Sequence, residues 1–217
     1  GDDEGSDGGG IDGDMVRELP NGLWEIQWEE RLKGLRGEGA EMCTLDAQTV
    51  IASFGGMEIL VATPPTRIRQ IAQMMQARGI KPEWEVFSLH DIVADVPRAL
   101  NEGLDDARPF INIVIGANAF QGGLPYTPKL LQTMVDHLPR GCVFNVSAIG
   151  PAQLPASMYS LLLGGHVRVG LEDNLYLEQG VLATNVQLVE RLVRLVREMG
   201  YEPATPAEAR EIIGLRP

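Results

Sequence analysis

Residues 110–116 read FINIVIG, and a near-continuous apolar run of this kind is typical of a strand covered on both faces of a parallel sheet. A helix pattern follows at 128–138, and a second strand pattern, CVFNVSAIG, follows at 142–150. Strand and helix patterns that alternate in this way build parallel sheets through crossover helices. The stretch therefore predicts an α/β fold.

The same alternation extends in both directions along the chain. Further strand patterns are EMCTLD at 41–46, EWEVFSL at 83–89 and HVRVGLED at 166–173. Helices are predicted over 66–78, 92–101, 154–163 and 185–199, and a capping box at 205–208 predicts a final short helix. Five β/α units fit either an open doubly wound sheet or part of a barrel. A complete eight-unit barrel typically needs about 250 residues, so the 217 residues indicate an incomplete barrel or a smaller open fold.

The charge of the chain is concentrated at its start. The formal net charge is -12, yet residues 1–30 hold ten of the 30 acidic residues and one of the 18 basic ones. The nearly neutral remainder lacks the clustered basic face that nucleic acid or an anionic membrane would require. With no apolar run long enough to span a bilayer, and an acidic start where a signal peptide would be basic, we expect a cytoplasmic protein.

Composition also divides the chain into two parts. Residues 1–29 are acidic and rich in glycine, which predicts a mobile head, and residues 30–217 form the predicted α/β domain. Cys43 and Cys142 each lie inside an apolar strand pattern, so we interpret them as packed thiols and not as a disulfide or a zinc site.

Polar side chains crowd the ends of the predicted strands, where α/β folds place their sites. They are Thr44, Asp46, Glu85, Ser88, Asn118, Ser147, Arg168, Glu172 and Asp173. If 166–173 is a strand, its alternation turns Arg168, Gly170 and Glu172 to one side. The arginine and its two carboxylates have two interpretations. One is a surface ion-pair network. The other is a site in which Arg168 holds a substrate carboxylate by its bidentate fork, Glu172 binds a metal and Asp173 transfers a proton.

Several segments together resemble the β-keto acid cleavage enzyme family, whose founding activity is 3-keto-5-aminohexanoate cleavage. They are AEMCTLDAQTV at 40–50, KPEWEVF at 81–87, VFNVSAIGPAQLP at 143–155, GGHVRVGLEDNLY at 164–176, GVLATNVQLVERLVRL at 180–195 and ATPAEAREIIGL at 204–215. The resemblance runs from about residue 30 to the end. It implies a (β/α)8 TIM barrel of which about strands 4–8 are present in this chain.

The resemblance also implies a reaction, in which a β-keto acid and acetyl-CoA give acetoacetate and a new acyl-CoA, with zinc polarising the keto group. By motif position it assigns Arg168, Asp173 and Glu85 to catalysis, Thr44 and Ser6 to substrate binding, and Glu172 to the metal. Relatives of this type are expected to be homo-oligomers, with a tetramer the state implied.

One departure from the family pattern concerns the zinc. The family's other zinc ligands are a His-x-His pair, and the histidines of this chain, His90, His137 and His166, do not form one. Since a catalytic zinc normally has three protein ligands, Glu172 alone would bind it weakly. An alternative function therefore stays open, namely a catalytically inactive barrel fragment that acts as a binding or assembly module.

Overall fold

The computed structural model describes residues 15–54, 56–116 and 120–215. Eleven strands are present in this part: β1 Val16–Glu18, β2 Trp24–Ile26, β3 Met42–Asp46, β4 Val50–Phe54, β5 Met57–Val61, β6 Lys81–Val86, β7 Phe110–Ile115, β8 Val143–Ala148, β9 His166–Val167, β10 Tyr176–Glu178 and β11 Val181–Leu182. The α-helices are α1 Trp28–Arg31, α2 Lys33–Arg36, α3 Pro65–Arg78, α4 Val96–Asn101, α5 Pro128–Asp136, α6 Gln153–Leu162, α7 Asn185–Glu198 and α8 Pro206–Ile213. A π-helical turn, Asp91–Asp95, leads into α4.

The main sheet contains five parallel strands in the order β3-β6-β7-β8-β9, which is also their order along the chain. The predicted α/β fold is therefore confirmed, and each of the five predicted strand patterns overlaps one of these strands. Within the described residues the sheet is open, because β3 and β9 each pair on one side only.

The helices begin and end where local sequence signals place them. Pro65 occupies the first turn of α3, and Gly79 ends that helix in the left-handed conformation that glycine adopts readily. The predicted capping box at the start of α8 is present, because the Thr205 hydroxyl accepts from the Glu208 amide and the Glu208 carboxylate accepts from the Thr205 amide. A second such box begins α7.

The two faces of the main sheet differ in polarity. One face contributes Leu45, Trp84, Ile111, Ile113 and Val146 to the hydrophobic core that it shares with α3, α5 and α6. The residues that alternate with these along the strands include four polar ones that are paired in sequence across neighbouring strands. They are Asp46, Glu85, Asn112 and Asn145. Alternation along each strand sends these two sets to opposite faces. The second face, called the polar face below, is where a site can form.

A second, four-stranded sheet in the order β1-β2-β5-β4 is not indicated by the sequence patterns described above. Val50 of this sheet packs against Phe87 and Val114, which lie at the carboxyl ends of β6 and β7. The Gln121 amide also donates a hydrogen bond to the Ile51 carbonyl at 2.8 Å. This small sheet therefore covers the carboxyl end of part of the polar face.

Part of the predicted acidic head carries regular structure. Residues 15–29 contain β1, β2 and the start of α1, and Glu25 of β2 is buried beside Arg17 and Arg67. Strands β1 and β2 belong to the small sheet, and their pairing in it gives this stretch regular structure. Composition alone could not indicate this pairing. Residues 1–14, nearly half of the predicted head, lie outside the described residues.

The prediction of a fifth strand over 166–173 is wrong in its length, because the observed strand β9 covers only His166–Val167. Regular pairing with β8 ends at Val167, and 171–173 is a turn in which the Asp173 and Asn174 amides donate to the Gly170 carbonyl. Strand alternation therefore does not place Arg168, Gly170 and Glu172 on one side, because the side-chain period of two applies only to extended backbone.

Candidate active site

A chain of side-chain hydrogen bonds crosses the middle of the polar face. The buried Ser147 hydroxyl donates to the side-chain oxygen Oδ1 of Asn112 at 2.7 Å, and Nδ2 of Asn112 donates to Glu85 Oε1 at 3.2 Å. The chain joins β8, β7 and β6. It fixes the amide orientation of Asn112, which is fully buried, and presents a donor to Glu85.

Glu85 titrates far from the ordinary range of a glutamate. Burial, together with the neighbouring charges of Asp46 and Glu83, raises its pKa to about 8, against the opposing effect of Arg168. Glu85 therefore keeps its proton at neutral pH and can donate a hydrogen bond. A carboxyl group that is protonated near pH 7 is what a general acid requires.

Asp46 is the partner of Glu85 and lies opposite it on β3. The two carboxyl groups share a hydrogen bond. Arg31 of α1 donates to Asp46 Oδ2 at 2.9 Å, and the Thr63 hydroxyl lies 3.5 Å from the same oxygen. Burial raises the pKa of Asp46, while the charge of Arg31 acts to lower it.

Arg168 forms the charged centre of the site. Its Nε donates to Asp173 Oδ2 at 3.0 Å and its Nη2 to Asp173 Oδ1 at 3.2 Å, while Nη2 also donates to Glu172. The Asp173 side chain is 4% exposed and the Glu172 side chain 69% exposed. The Arg168 fork is thus occupied by Asp173, and Nη1 makes no hydrogen bond to another described residue.

Electrostatics link this centre to the sheet. Burial acts to lower the pKa of Arg168, but its bonds to Asp173 and the charges of Glu172 and Glu85 outweigh burial and raise it. Burial also raises the pKa of Asp173, against the effect of Arg168. The ion pair is therefore partly desolvated, which strengthens it relative to a surface pair.

Helix α6 holds the segment that carries Arg168. Three of its buried side chains donate hydrogen bonds to every second backbone carbonyl of this segment. Ser160 donates to His166 at 2.7 Å, Ser157 to Arg168 at 3.1 Å, and Gln153 to Gly170 at 3.0 Å. These hydrogen bonds replace the ladder that β9 lacks beyond Val167. They fix the backbone from which Arg168 projects.

The structure brings most of the predicted site residues to one face. Arg168, Glu172 and Asp173 form one cluster, and Arg168 interacts electrostatically with Glu85. Thr44 lies two residues before Asp46 on β3 and is exposed, in register with Glu83 of β6. Ser6, predicted to bind substrate, and Asn118 lie outside the described residues.

The described residues do not fit a zinc site on their own. No group of three His, Cys, Asp or Glu side chains within 15–54, 56–116 and 120–215 is arranged to hold a metal ion. His90 lies near Asp95 with its side chain 70% exposed, and His137 ends α5 with Nδ1 2.8 Å from the Thr133 carbonyl oxygen. Glu172 is the one carboxylate that the resemblance assigns to zinc, and it pairs with Arg168.

Two members of the site were not predicted from the sequence. Arg31 lies in a short helix before the first predicted strand, and its contact with Asp46 depends on the undetected small sheet. Asn112 lies within the apolar run of β7, and an amide in a strand of six buried residues indicates a buried polar network. Polarity at one position of a buried strand could have identified it.

These features define a class of protein, namely an α/β enzyme-type fold whose parallel strands present buried carboxyl groups and an arginine on one polar face. A family model described as beta-keto acid cleavage enzyme matches residues 12–215. The chain belongs to the β-keto acid cleavage enzyme family. The match begins at residue 12, whereas the sequence resemblance was expected to begin at about residue 30.

Curated relatives agree with this assignment. The chain is 42% identical over 176 residues to a 3-keto-5-aminohexanoate cleavage enzyme of Acetoanaerobium sticklandii, which covers 81% of this chain and 62% of that relative. It is 38% identical over 177 residues to the enzyme of the same name from Fusobacterium nucleatum, with the same coverage of both. A 3-dehydrocarnitine:acetyl-CoA trimethylamine transferase of Rhizobium meliloti is 35% identical over 175 residues, covering 81% of this chain and 56% of that relative. The chain therefore spans about three-fifths of the length of these relatives.

Solved structures support the fold. The apo structure of ObcA matches with a TM-score of 0.69 at 18% identity, covering 86% of this chain and 47% of that one. Its binary complex with oxaloacetate matches with a TM-score of 0.65. The likeness supports a TIM-barrel-like α/β fold with a parallel sheet. In the part of the chain that the structure describes, no helix is both long and apolar enough to cross a membrane.

Proposed function

We propose that this chain carries part of the active site of a β-keto acid cleavage enzyme, which converts a β-keto acid and acetyl-CoA into acetoacetate and an acyl-CoA. The observation that carries the proposal is the grouping of Arg168, Asp173 and protonated Glu85 about one polar face. Family membership supports it, as do relatives whose names include acetyl-CoA as a substrate. The enzyme contains a TIM barrel to which this chain contributes about strands 4–8.

Each residue has a distinct role in the proposal. A substrate carboxylate binds Nη1 of Arg168 and replaces Glu172 at Nη2, while Asp173 keeps the fork in place and takes part in proton transfer. When substrate binds, Glu85 donates to a substrate oxygen the proton that it shares with Asp46 in the free protein. Thr44, and Ser6 in the undescribed segment, contribute polar contacts to the substrate.

Zinc belongs to the proposal only in part. Glu172 is proposed as one carboxylate ligand, and the remaining ligands come from outside the described residues. Bound zinc would act as a Lewis acid toward the keto group. Elemental analysis of the purified protein tests this, with one zinc per chain in the wild type and a markedly lower content in Glu172→Gln as the expected result. A wild type without zinc would contradict the ligand assignment.

The reaction is tested by acetoacetate formation from acetyl-CoA and a panel of β-keto acids comprising 3-keto-5-aminohexanoate, 3-oxoadipate and 3-dehydrocarnitine. We expect Arg168→Gln to abolish activity and Arg36→Gln, which removes an exposed ion pair with Glu29, to retain it. A wild type that is inactive on the whole panel would contradict the proposal. Full activity of Arg168→Gln would contradict the role of Arg168. Homo-oligomerisation and a cytoplasmic location are proposed with the activity.

The second candidate is an inactive fragment that serves as an assembly module. It is favoured by β3, a five-residue strand whose outer edge has no strand partner among the described residues. Exposed strand edges promote association. Lack of zinc and of activity, together with self-association in sedimentation experiments, would favour this candidate over the enzyme.

A further inference from the structure

The side chain of Arg31 enters the site from outside the main sheet. It belongs to the four-residue helix α1 and is 12% exposed. Its Nη1 donates to the Ala62 carbonyl at 2.8 Å, and its Nη2 donates to Asp46 Oδ2 at 2.9 Å. Two hydrogen bonds thus hold the guanidinium in one position against one carboxyl group of the Asp46–Glu85 pair.

The two carboxyl groups of this pair have different surroundings. Asp46 receives the cation Arg31 and lies near the Thr63 hydroxyl. Glu85 receives the neutral Asn112 amide, while Glu83 from its own strand and Arg168 from beyond β9 act on it by charge. A direct ion pair favours the charged form much more than a neutral amide does. The negative charge of the pair therefore belongs on Asp46.

We propose that Arg31 is a positioning residue of this site, and that its ion pair keeps the negative charge of the Asp46–Glu85 pair on Asp46 and the shared proton on Glu85. The inference rests on the proposed function only insofar as Glu85 belongs to the substrate site. Arg31 itself contacts no substrate. Its effect is to keep Glu85 uncharged on a face that receives an anionic substrate, where an ionised Glu85 would repel that substrate.

Carboxyl ¹³C NMR of the substrate-free protein, labelled in its Glu and Asp side chains, measures where the proton resides. Glu85→Gln and Asp46→Asn identify the two resonances. In the wild type we expect Glu85 to titrate near pH 8 and Asp46 to be ionised at pH 7. In Arg31→Gln we expect the proton to move, so that Asp46 is protonated and Glu85 ionised at pH 7.

Arg67→Gln is the matched control. Arg67 donates to the same Ala62 carbonyl, at 3.1 Å, but its ion pair is with Glu25. This variant should leave Glu85 protonated at pH 7. A Glu85 that stays protonated in Arg31→Gln, or that ionises equally in Arg67→Gln, would overturn the inference.

Two further variants keep the inference testable if Arg31→Gln does not fold. Arg31→Lys retains the positive charge and should leave the proton on Glu85. Asp46→Asn removes the neighbouring negative charge and should shift the Glu85 titration down toward the usual glutamate range. A Glu85 that ionises in the former, or an unchanged midpoint in the latter, would contradict the inference.

The NMR measurement needs no substrate, so it separates this inference from the proposed function. A protein that shows the proton transfer between the carboxyl groups but forms no acetoacetate would contradict the function and support the role of Arg31. In an active enzyme, Arg31→Gln should raise KM more than it lowers kcat, since ionised Glu85 weakens the binding of an anionic substrate. A loss of folded protein alone would lower the active fraction and leave KM unchanged.

Discussion

The Ser157 hydroxyl donates a hydrogen bond to the backbone carbonyl of Arg168 at 3.1 Å, and the Ser157 side chain is buried. Arg168 lies just beyond the end of β9, where no strand pairing supports its backbone. The serine therefore does for the segment what a ladder hydrogen bond would do within a strand. Removal of the Ser157 hydroxyl leaves the partly buried backbone carbonyl of Arg168 without this hydrogen-bond donor.

Ser157→Ala should lower the free energy of unfolding by about 1–3 kcal/mol, the cost of leaving a buried polar group unpaired. It should also lower kcat, because Arg168 loses part of its support. Urea unfolding and the acetoacetate assay measure the two effects. Thr133→Val is the control, since it removes an exposed hydroxyl bond to the Lys129 carbonyl and should change stability by at most about 0.5 kcal/mol. Equal effects of the two substitutions would show that Ser157 has no special role.

The two carboxylates that bind Arg168 should differ in their contribution to stability. Asp173 is 4% exposed and holds the arginine through two hydrogen bonds, whereas Glu172 is 69% exposed. Asp173→Asn weakens a partly desolvated pair and should cost at least about 1 kcal/mol more than Glu172→Gln, which removes a surface ion pair worth about 0–1 kcal/mol. Thermal and urea unfolding of both variants provide the comparison. A Glu172→Gln variant that is the less stable of the two would contradict the assigned burial.

The sequence predicted the main sheet because its signals are local. Buried parallel strands such as Phe110–Ile115 are apolar runs, and the helices between them carry proline, glycine and capping residues at their ends. In the small sheet, the runs VIASF and MEILV on either side of a Gly-Gly pair at 55–56 are a hairpin signal, but the other two strands gave none. Its strands β1 and β2 have three residues each, too few for alternation to identify, and its pairing of β2 with β5 joins distant parts of the chain.

The site shows the same division between local and distant contacts. Arg168, Glu172 and Asp173 are neighbours in sequence and were predicted together. Arg31 joins Asp46 across 15 residues, from a short helix that no sequence pattern predicted. Such contacts depend on tertiary packing, so a charge pattern along the chain cannot reveal them.

Gly165 is required by the close approach of Phe144. A Cβ added at Gly165 would lie 2.2 Å from Phe144 Cε2 and 2.6 Å from Ser160 Oγ. Gly165→Ala should therefore lower the free energy of unfolding by about 1–3 kcal/mol, as overpacking does in buried regions. Gly34 provides the control, because a Cβ there meets nothing within 4 Å and Gly34 lies inside α2. Gly34→Ala should stabilise the protein by about 0.5–1 kcal/mol. A Gly165→Ala variant as stable as the wild type would show that Phe144 has room to move.

Glu85 should make the protein less stable as the pH rises. Its pKa is about 8 in the folded chain and near 4.5 when unfolded, so between these values the folded state binds the extra proton. Stability therefore falls as the pH rises through this window and levels off above about 8.

Glu85→Gln resembles the protonated form at every pH, so it should lack this part of the dependence. At pH 9 it should exceed the wild type in stability by on the order of a few kcal/mol, and near pH 5 the two should be similar. Urea unfolding across pH 5 to 9 measures the difference, with Glu58→Gln on the exposed side of β5 as a control that should follow the wild type. Parallel curves for the wild type and Glu85→Gln would mean that Glu85 titrates in its ordinary range, and would remove the physical basis for its role as an acid.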